Sequence, residues 1–465
     1  MDALLTAYDE QVRGHVPERA PMGAVVEQDG PVLRSHYGTH GTVHHTPLPA
    51  KTTPTEVAEL VRRLQSVFAA RGEPVEWRAY SHDSVAVGEP LRAAGFTAMG
   101  PERTLLLADL DDVMVAGTGT VAPPKGMRVR RLGYGYHRER ELNRLVAAGG
   151  PYARGLTDVR EDHGNLLGWA LNVQLLEADT RLVGVGWAEA VGSTEFVAVR
   201  GMTGPHTEFL PDWVRWARNS HALHLGSGPP REAPNRRYLM AEAPDGPIRD
   251  AFLAVGFRAV STVRSYAWAP AGPPLAAARP VSMLIGDRDH DARCAEFTAR
   301  FAFKPSYTYY PAIEEPPDSV TWHVGDVTDT HSYRLRRNLP DDHLVARLQR
   351  TIERGLRACV RPGEQLYSVR WWHQGYRFDP ARVGGSGQPP WPGAACREGE
   401  YYKLLTRDLR MGTFWHSWEE SLCVFGAELL AEVEHDLTTI LGTVMRRGGR
   451  NTGNVWTFES RSDPV

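Results

Sequence analysis

The chain contains one strand–helix–strand pattern twice. The helical part of each copy ends in a Gly-Phe pair, first at Leu91–Phe96 and again at Phe252–Phe257. An apolar run precedes each helix, over 75–80 in the first copy and over 238–243 in the second. Glycine readily adopts the left-handed conformation that ends a helix, and the phenylalanine after it begins the next strand. The repeat therefore predicts two units of one architecture.

The first copy carries further local signals. Apolar runs at 23–28 and 32–36 flank Asp29-Gly30, a pair typical of a two-residue hairpin turn. The capping box Thr53-Pro54-Thr55-Glu56 then starts a helix with one apolar face, which Gly72 ends. These signals predict a hairpin followed by a long amphipathic helix.

The second copy is predicted to contain strands at 127–132, 173–178, 182–189 and 194–200. Linkers rich in glycine and proline follow each copy, at 115–124 and 270–274. We therefore expect three domains, at 1–115, 125–270 and 280–465. The mixed order of strands and helices predicts an α/β (α+β) fold class, with two mixed-sheet units followed by a separate aromatic-rich α+β domain.

The third segment is distinguished by its aromatic residues. Helical spacing of apolar residues predicts helices at 343–359 and 421–445. An alternating strand is predicted over 371–377, which would bring His373 towards His416 and Glu419 across a sheet.

Composition limits the function classes. The chain has 465 residues and a net charge of −3, from 53 basic and 56 acidic residues, so it has no overall attraction for nucleic acid or an anionic membrane. Its four cysteines are far apart, which argues against a zinc ribbon. No His-Glu-x-x-His motif occurs, and no metal is expected. The N-terminus lacks a signal-peptide pattern, so we expect a cytoplasmic protein.

Several motifs resemble known families. The run 75–83 with Ala94-Gly95-Phe96, and the runs 192–196 and 265–268, resemble a tandem subgroup of the GNAT acyltransferase superfamily of actinobacterial type. This resemblance covers residues 1–270. Residues 290–445 resemble an uncharacterised bacterial domain family that carries no known activity. Its motifs are Trp371-x-His373-x-x-Tyr376-x-Phe378-x-Pro380 and Gly412-x-Phe414-x-His416-x-Trp418-Glu419.

The GNAT resemblance implies acetyl-CoA or another acyl-CoA as the donor. In that superfamily a loop of the form Arg/Gln-x-x-Gly-x-Gly/Ala holds the donor's pyrophosphate at a helix N-terminus. The stretch after 194–200 departs from this form, because Pro205 and Pro211 each remove an amide donor. In addition, Glu208 and Asp212 would place negative charge where the phosphate belongs. The sequence Arg130-x-x-Gly133-x-Gly135 fits the form but follows the first strand of the second copy, so we interpret it as an ordinary turn. The cofactor-binding residues implied by the resemblance are Val197, Val199, Arg200, Gly201 and Gly204.

The resemblance also implies a carboxylate that takes a proton from the attacking amine. Glu195 is the first candidate and Glu189 the second, and an acid at a solvent-exposed strand end is the alternative interpretation. The positions of the superfamily's acidic tyrosine hold Leu91 and Phe252, which cannot donate a proton. In the third segment His373 is the candidate for acid–base chemistry.

Polar and aromatic residues of the third segment predict a ligand pocket. An aromatic core with hydrogen-bonded histidines is the alternative interpretation. The candidate pocket residues are Trp372, Tyr376, Arg377, His416, Trp418 and Glu419.

Four arginines, at 347, 350, 354 and 357, share one helical stripe. A polyanion partner such as tRNA and a solvated helix face are both consistent with that stripe. Nucleic acid is otherwise not expected as a partner, and neither is a membrane.

The leading hypothesis is a GNAT-like acyltransferase that transfers an acyl group to the amine of a small molecule. One alternative is a non-catalytic protein that binds a ligand or partner on degenerate GNAT scaffolds. Another is acyl or aminoacyl transfer from a donor other than CoA, such as aminoacyl-tRNA.

Overall fold

The computed structural model describes residues 3–16, 23–110, 112, 126–132, 141–142, 144–145, 171–179, 181–203, 236–272, 280–306, 308–324, 343–371, 375–385, 387–393 and 400–453. The chain divides into two compact units, Met1–Pro280 and Val281–Val465. Both combine helices with a large sheet, which confirms a mixed α/β fold with a separate C-terminal part. Within the described ranges, no helix has both the length and the apolar character needed to cross a membrane.

Helices and strands of the first unit follow the order expected from the repeat. The helices are α1 (Ala3–Tyr8), which continues into a π-helical turn at Asp9–Arg13, α2 (Pro54–Arg71), α3 (Gly88–Ala93) and α4 (Pro247–Ala254). The strands of the first copy are β1 (Val25–Asp29), β2 (Val32–His36), β3 (Gly41–His45), β4 (Val75–Tyr80) and β5 (Thr97–Asp109). Those of the second copy are β6 (Met127–Arg131), β7 (Leu171–Ala178), β8 (Arg181–Ala190), β9 (Phe196–Thr203), β10 (Tyr238–Pro244) and β11 (Arg258–Trp268).

The two copies share one sheet of eleven strands, in the order β1-β2-β3-β4-β11-β5-β10-β9-β8-β7-β6. The last strand of each copy is exchanged: β11 pairs with β4 of the first copy, and β5 pairs with β10 of the second. At the centre β5 and β11 pair with each other. The segments predicted as domains 1–115 and 125–270 are therefore joined by continuous strand pairing.

Local sequence signals account for the ends of the helices α2, α3 and α4. The Thr53 side chain and the Glu56 carboxylate form the predicted capping box of α2, and Gly72 ends that helix with φ +64°. Gly95 and Gly256 follow α3 and α4 with φ values of +86° and +100°, which favour glycine. The sequence also predicts a polar helix around 136–146, and that range lies largely outside the described residues.

Each face of this sheet buries its own apolar cluster. On one face, α2 packs over β3 and β4, and α4 packs over β9 and β10. On the other face, Tyr8 of α1 packs among Tyr80, Phe196 and Met240. Charged side chains on the strands near α1 are therefore held against a partly apolar surface.

The second unit is built on a sheet of nine strands, in the order β12-β15-β14-β16-β17-β18-β13-β19-β20. The strands are β12 (Ser282–Leu284), β13 (Ser319–His323), β14 (Leu366–Arg370), β15 (Tyr376–Phe378), β16 (Tyr401–Thr406), β17 (Gly412–His416), β18 (Ser421–Phe425), β19 (Val444–Arg447) and β20 (Arg450–Asn451). The helices are α5 (Asp287–Phe301), α6 (Leu344–Cys359) and α7 (Ala427–Leu441), and a single 3-10 turn covers Pro380–Arg382. One face of the sheet packs against α6 and α7, and the other packs against α5.

The predicted helix over 421–445 is wrong at both ends. Ser421–Phe425 forms β18 and Val444–Arg447 forms β19, so only Ala427–Leu441 is helical. Gly426 and Gly442 interrupt the pattern with φ values of +101° and +75°. All five residues of β18 are buried, and a strand buried on both faces has a continuous apolar run that periodicity cannot separate from a helix.

The single alternating strand predicted over 371–377 is also wrong. Leu366–Arg370 and Tyr376–Phe378 form an antiparallel pair in which Ser368 lies opposite Tyr376. The chain therefore reverses direction between Arg370 and Tyr376, and residues 372–374 lie outside the described part.

A β-bulge bends β9 near its carboxyl end. Trp187 of β8 pairs with Arg200, and Val185 pairs with Thr203, so Gly201 and Met202 lie opposite one residue of β8. Gly201 has φ +69°, and a Cβ atom there would overlap the Trp187 ring. A bulge of this kind increases local twist and directs the strand away from its neighbour.

We expect Gly201→Ala to lower the free energy of unfolding by roughly 2–5 kcal/mol. Left-handed backbone strain at the new alanine and the overlap of its Cβ with Trp187 both raise the free energy of the folded state. Gly30→Ala is the matched control, since Gly30 also has positive φ but open space around the added Cβ. That control should lose only about 1 kcal/mol. Chemical denaturation followed by intrinsic fluorescence measures both, and equal losses would contradict the packing role of Gly201.

Candidate functional site

The first unit contains two places where parallel strands separate. The ladder between β9 and β10 ends at Val199 and Ala241, although the strands continue to Thr203 and Pro244. The bulge at Gly201 coincides with this separation. The strands thus diverge at their carboxyl ends and leave a gap, which we call the second cleft.

The equivalent pair in the first copy separates in the same way. Strands β3 and β4 are parallel, and their ladder ends at Val43 and Trp77, although β4 continues to Tyr80. We call this gap the first cleft. The two clefts differ in what occupies them.

Buried side chains close the first cleft. Arg13 Nε donates a hydrogen bond of 3.0 Å to the carbonyl oxygen of His45, the last residue of β3. The Arg13 guanidinium also holds Asp83 through two hydrogen bonds, of 2.6 and 2.8 Å. The side chains of Arg13 and Asp83 are each only 1% exposed. A backbone acceptor that a ligand would need is therefore already used.

The protonation states of this cluster follow from its donors. Trp77 Nε1 is 3.2 Å from His45 Nδ1, and because an indole nitrogen can only donate, the proton of His45 lies on Nε2. His45 Nε2 donates in turn to Asp83 at 3.0 Å. Burial alone would raise the pKa of Asp83, but hydrogen bonds from His45 and Arg13 lower that pKa to about 2. Burial lowers the pKa of His45. The cluster is thus an ion pair beside a neutral imidazole.

The N-terminus of α2, the helix that follows the first cleft, is also occupied by one of the chain's own side chains. The Glu56 carboxylate accepts a hydrogen bond of 2.7 Å from the backbone N–H of Thr53. It therefore places the chain's own negative charge at the positive end of α2, where an anionic ligand would bind. In the first copy, the chain's own residues therefore occupy both the gap between β3 and β4 and the N-terminus of α2.

Charged side chains border the second cleft. Glu242 lies one position beyond Ala241, the last paired residue of β10, and its carboxylate contacts the Arg78 guanidinium. Arg103 Nη2 donates to the carbonyl oxygen of Glu242 at 2.5 Å. Burial alone would raise the pKa of Glu242, but the charge of Arg78 lowers it. Sequence analysis did not select Glu242 or Arg78, although each is a charged residue inside an apolar strand.

Across the second cleft, Arg200 is the last residue of β9 before the bulge. Its Nε lies 3.6 Å from the Glu189 carboxylate on β8, and its side chain is about half exposed. Three arginines and two carboxylates therefore surround this gap, which leaves a local excess of positive charge.

Glu195 lies at the opposite end of β9. Its carboxylate accepts a hydrogen bond of 2.9 Å from Gln11 Nε2, and its backbone N–H donates to Gln11 Oε1 at 2.9 Å. Five residues of strand separate Glu195 from Arg200, which corresponds to about 16 Å. The structure thus brings Glu189, and not Glu195, beside the second cleft.

The predicted cofactor residues occupy different environments. Val197 and Val199 pair with both neighbouring strands, and their side chains are buried in the cluster beneath α4. Arg200 and Gly201 lie at the gap, and Gly204 lies outside the described residues. In the alternative loop, Gly133 and Gly135 lie outside the described residues, and the Arg130 guanidinium is 2.8 Å from the Glu177 carboxylate.

In the second unit, His416 at the end of β17 and Glu419 just beyond it lie together. The Glu419 carboxylate is held by Arg446 at 2.6 and 2.9 Å and by Ser421 Oγ at 2.6 Å. The Glu419 backbone N–H donates to His416 Nδ1 at 3.1 Å, and burial lowers the pKa of His416 to about 4. Glu419 is thus the centre of a buried ion network, and His416 is neutral at pH 7.

The other residues predicted to form the pocket do not all lie near His416 and Glu419. Trp418 packs on Tyr401 beside His416, with ring centroids 4.9 Å apart. Tyr376 and Arg377 lie on β15, three strand positions from β17 and therefore about 14 Å away. Trp372 and His373 are outside the described residues.

Sequence analysis did not select Lys403. This lysine is 1% exposed, and its Nζ has no hydrogen-bond partner within the described part of the chain. It lies 5.0 Å from the ring centroid of Phe303 and 5.7 Å from that of Trp371. Burial lowers the pKa of Lys403. The sequence signal that could have identified this residue is the presence of a lysine inside the apolar run 401–405.

Comparisons with known proteins agree with the division of the chain. Residues 284–430 match the family described as "Protein of unknown function (DUF2716)". This confirms an uncharacterised family domain in the C-terminal part. The chain is also 25% identical over 122 residues to the uncharacterised protein YxiI of Bacillus subtilis, which covers 26% of this chain and 74% of that protein.

Solved structures similar to this chain include several GNAT proteins. A GCN5-related N-acetyltransferase from Kribbella flavida is 15% identical, with a TM-score of 0.38, over 55% of this chain and 92% of that one. A tandem GNAT protein from the clavulanic acid biosynthesis pathway is 13% identical, with a TM-score of 0.38, over 55% and 86%. A GCN5-related N-acetyltransferase from Sphaerobacter thermophilus is 11% identical, with a TM-score of 0.36, over 53% and 79%.

Among the described residues, no group of three or more His, Cys, Asp or Glu side chains is arranged to hold a metal ion. The polar groups available at the second cleft are guanidinium and carboxylate groups. They are suited to binding anions and to moving protons.

Replacing Asp83 tests whether a buried ion pair closes the first cleft. We expect Asp83→Asn to cost about 3–5 kcal/mol at pH 7, because Arg13 is left as a buried unpaired charge. The folded-state pKa of Asp83, about 2, lies below its unfolded value, so its contribution is present above pH 4 and is lost as pH falls towards 2.

The stability difference between the wild type and Asp83→Asn should therefore narrow by about 2 kcal/mol between pH 4 and pH 2. Denaturant unfolding at several pH values measures this difference. Asp109→Asn is the control, because the partner of Asp109 is the exposed Arg237. A difference that stays constant with pH would show that Asp83 is not held as an ion pair.

Proposed function

We propose that residues 1–272 form a GNAT-like N-acyltransferase in which only the second cleft holds the acyl donor. The observation that carries the proposal is the early end of the β9–β10 ladder at Val199 and Ala241, together with the bulge at Gly201. Two strand edges that separate offer backbone groups to an extended ligand, which can lie between them as an added strand does. The pantetheine arm of an acyl-CoA is an extended chain with amide groups.

The charges near the second cleft support an anionic donor. Arg78, Arg103 and Arg200 outnumber Glu189 and Glu242, so the local charge favours phosphate groups. Guanidinium groups bind phosphate through paired hydrogen bonds. These arginines supply positive charge in a chain whose sequence departs from the phosphate-binding loop of the superfamily.

Glu242 is our proposed proton acceptor. It lies at the cleft and is ionised at neutral pH, because the charge of Arg78 lowers its pKa. In the proposed reaction the acceptor amine attacks the thioester carbonyl, and a C–N bond forms as the C–S bond breaks. The amine proton passes to the Glu242 carboxylate, directly or through a water molecule, and CoA leaves as the thiolate.

One observation bears on the role of the first copy. The Arg13–Asp83 pair fills the first cleft, and the carbonyl oxygen of His45 at the end of β3 already accepts a hydrogen bond from Arg13. We infer that the first copy supports the second cleft through the exchanged strand and through Arg78, and binds no donor itself.

Isothermal titration with acetyl-CoA tests donor binding. We expect one site per chain, and we expect Arg200→Gln to weaken binding by about tenfold, which is the loss of one charge-assisted contact. Arg237→Gln is the matched control, because Arg237 is equally exposed but lies at the amino end of β10. No binding of acetyl-CoA by the wild type, or an equal effect of both substitutions, would overturn the donor site.

Thiol release from acetyl-CoA in the presence of a panel of primary amines tests the proton acceptor. Glu242→Gln should keep donor affinity within a few-fold and lower turnover by about 10²–10⁴. Glu195→Gln should leave turnover unchanged, because Glu195 lies about 16 Å along β9 from the cleft. The reverse pattern would assign proton transfer to Glu195 and refute the role of Glu242.

A further inference from the structure

The arginine stripe of α6 lines a cavity. A space of about 550 Å³ lies between α6 and α7, beside the loop at Gly384. The four arginines, at 347, 350, 354 and 357, form one wall, and Asp436, Thr439 and Ile440 of α7 form the other. We propose that this cavity binds a small molecule carrying two or more phosphate groups, of the class of nucleoside di- and triphosphates.

Arg357 is fixed at the inner end of the cavity. Its Nε donates to the carbonyl oxygen of Pro380 at 3.0 Å, and its Nη2 donates to that of Val383 at 2.8 Å. The guanidinium carbon lies 5.5 Å from the centroid of the Trp391 ring. A guanidinium held by backbone and ring contacts loses little freedom when it binds an anion.

The loop beside Arg357 approaches closely because it contains glycine. Gly384 has φ +72°, and a Cβ atom there would lie 2.9 Å from Arg357 Nη2 and 3.2 Å from the Glu353 carboxylate. A side chain at this position would therefore displace the groups that line the cavity.

The outer arginines are placed to contact several phosphates. Arg347 and Arg350 are exposed at the mouth, and Arg354 Nη2 is held by Asp436 at 2.6 Å. The stripe from 347 to 357 rises by about 15 Å along the helix, so its guanidinium groups can contact more than one phosphate of a nucleoside di- or triphosphate. The volume lies within the range of small-molecule sites, about 300–1,000 Å³.

The local charge differs from that of the whole chain. Four guanidinium groups face two carboxylates, those of Asp436 and Glu353, although the chain carries a net charge of −3. Burial raises the pKa of Glu353. A concave surface with an excess of positive charge concentrates anions. The cavity therefore has the shape and the charge of a phosphate site.

Titration of the full chain with ATP and with inorganic tripolyphosphate tests this proposal. We expect both to bind, and the double variant Arg347→Gln with Arg350→Gln to lose at least about tenfold in affinity for each. Arg361→Gln is the control, since Arg361 lies outside the cavity with its side chain 70% exposed, and it should bind as the wild type does. Thermal melts verify that each variant is folded.

Asp436→Asn gives a test of opposite sign. It removes a negative charge and releases Arg354, so ATP should bind several-fold more tightly than to the wild type. A purely structural role for the stripe predicts no such gain.

The proposal is overturned if neither ATP nor tripolyphosphate binds at low ionic strength, or if Arg361→Gln weakens binding as much as the double variant does. It is also overturned if a single-stranded RNA oligonucleotide binds more tightly than ATP and is the ligand that the double variant loses. That outcome would identify the stripe as part of a polynucleotide surface. None of these results depends on whether the second cleft binds acetyl-CoA.

Discussion

The antiparallel pairing of β5 with β11 is the constraint on which the first unit depends. Each strand is the last of its copy, and each lies between its partner and a strand of the other copy. Leu105, Leu106 and Leu107 of β5 are fully buried at this centre. Burial of three leucines is worth about 5–9 kcal/mol, so separating the copies would expose a large part of the core.

This exchange also sets the chemistry of the second cleft. Because β11 and β5 lie between β4 and β10, Arg78 of the first copy and Glu242 of the second reach each other on one face of the sheet. The first copy thus contributes a charge to a site in the second. The first cleft itself is not required to bind a ligand, and the Arg13–Asp83 pair fills it.

Local sequence was enough to predict elements whose ends carry their own signals. Helix α2 has a capping box and a C-terminal glycine, and the Gly-Phe pairs mark α3 and α4. The exchange of β5 and β11 could not be predicted, because each strand pairs with residues more than 125 positions away and either neighbour satisfies its apolar pattern. Position within the sheet, which decides whether a carboxylate such as Glu195 or Glu242 reaches a gap, depends on that same long-range pairing.

The second unit shows a different limit. Its central strands are buried on both faces, so β18 was predicted as helix. The position of Lys403 inside an apolar run could have indicated a buried lysine, but the absence of a hydrogen-bond partner for its Nζ among the described residues depends on the tertiary packing. The arginine stripe, by contrast, was visible at helical spacing. The sequence did not predict that α7 and the loop at Gly384 pack beside this stripe. That packing makes the stripe one wall of a cavity.

Hydrogen–deuterium exchange with and without acetyl-CoA tests most directly whether one cleft is open and the other closed. We expect the donor to slow exchange of backbone amides at 200–203 and 242–243 and to leave those at 44–46 and 78–80 unchanged. Protection at both places, or at neither, would contradict the division of roles between the two copies.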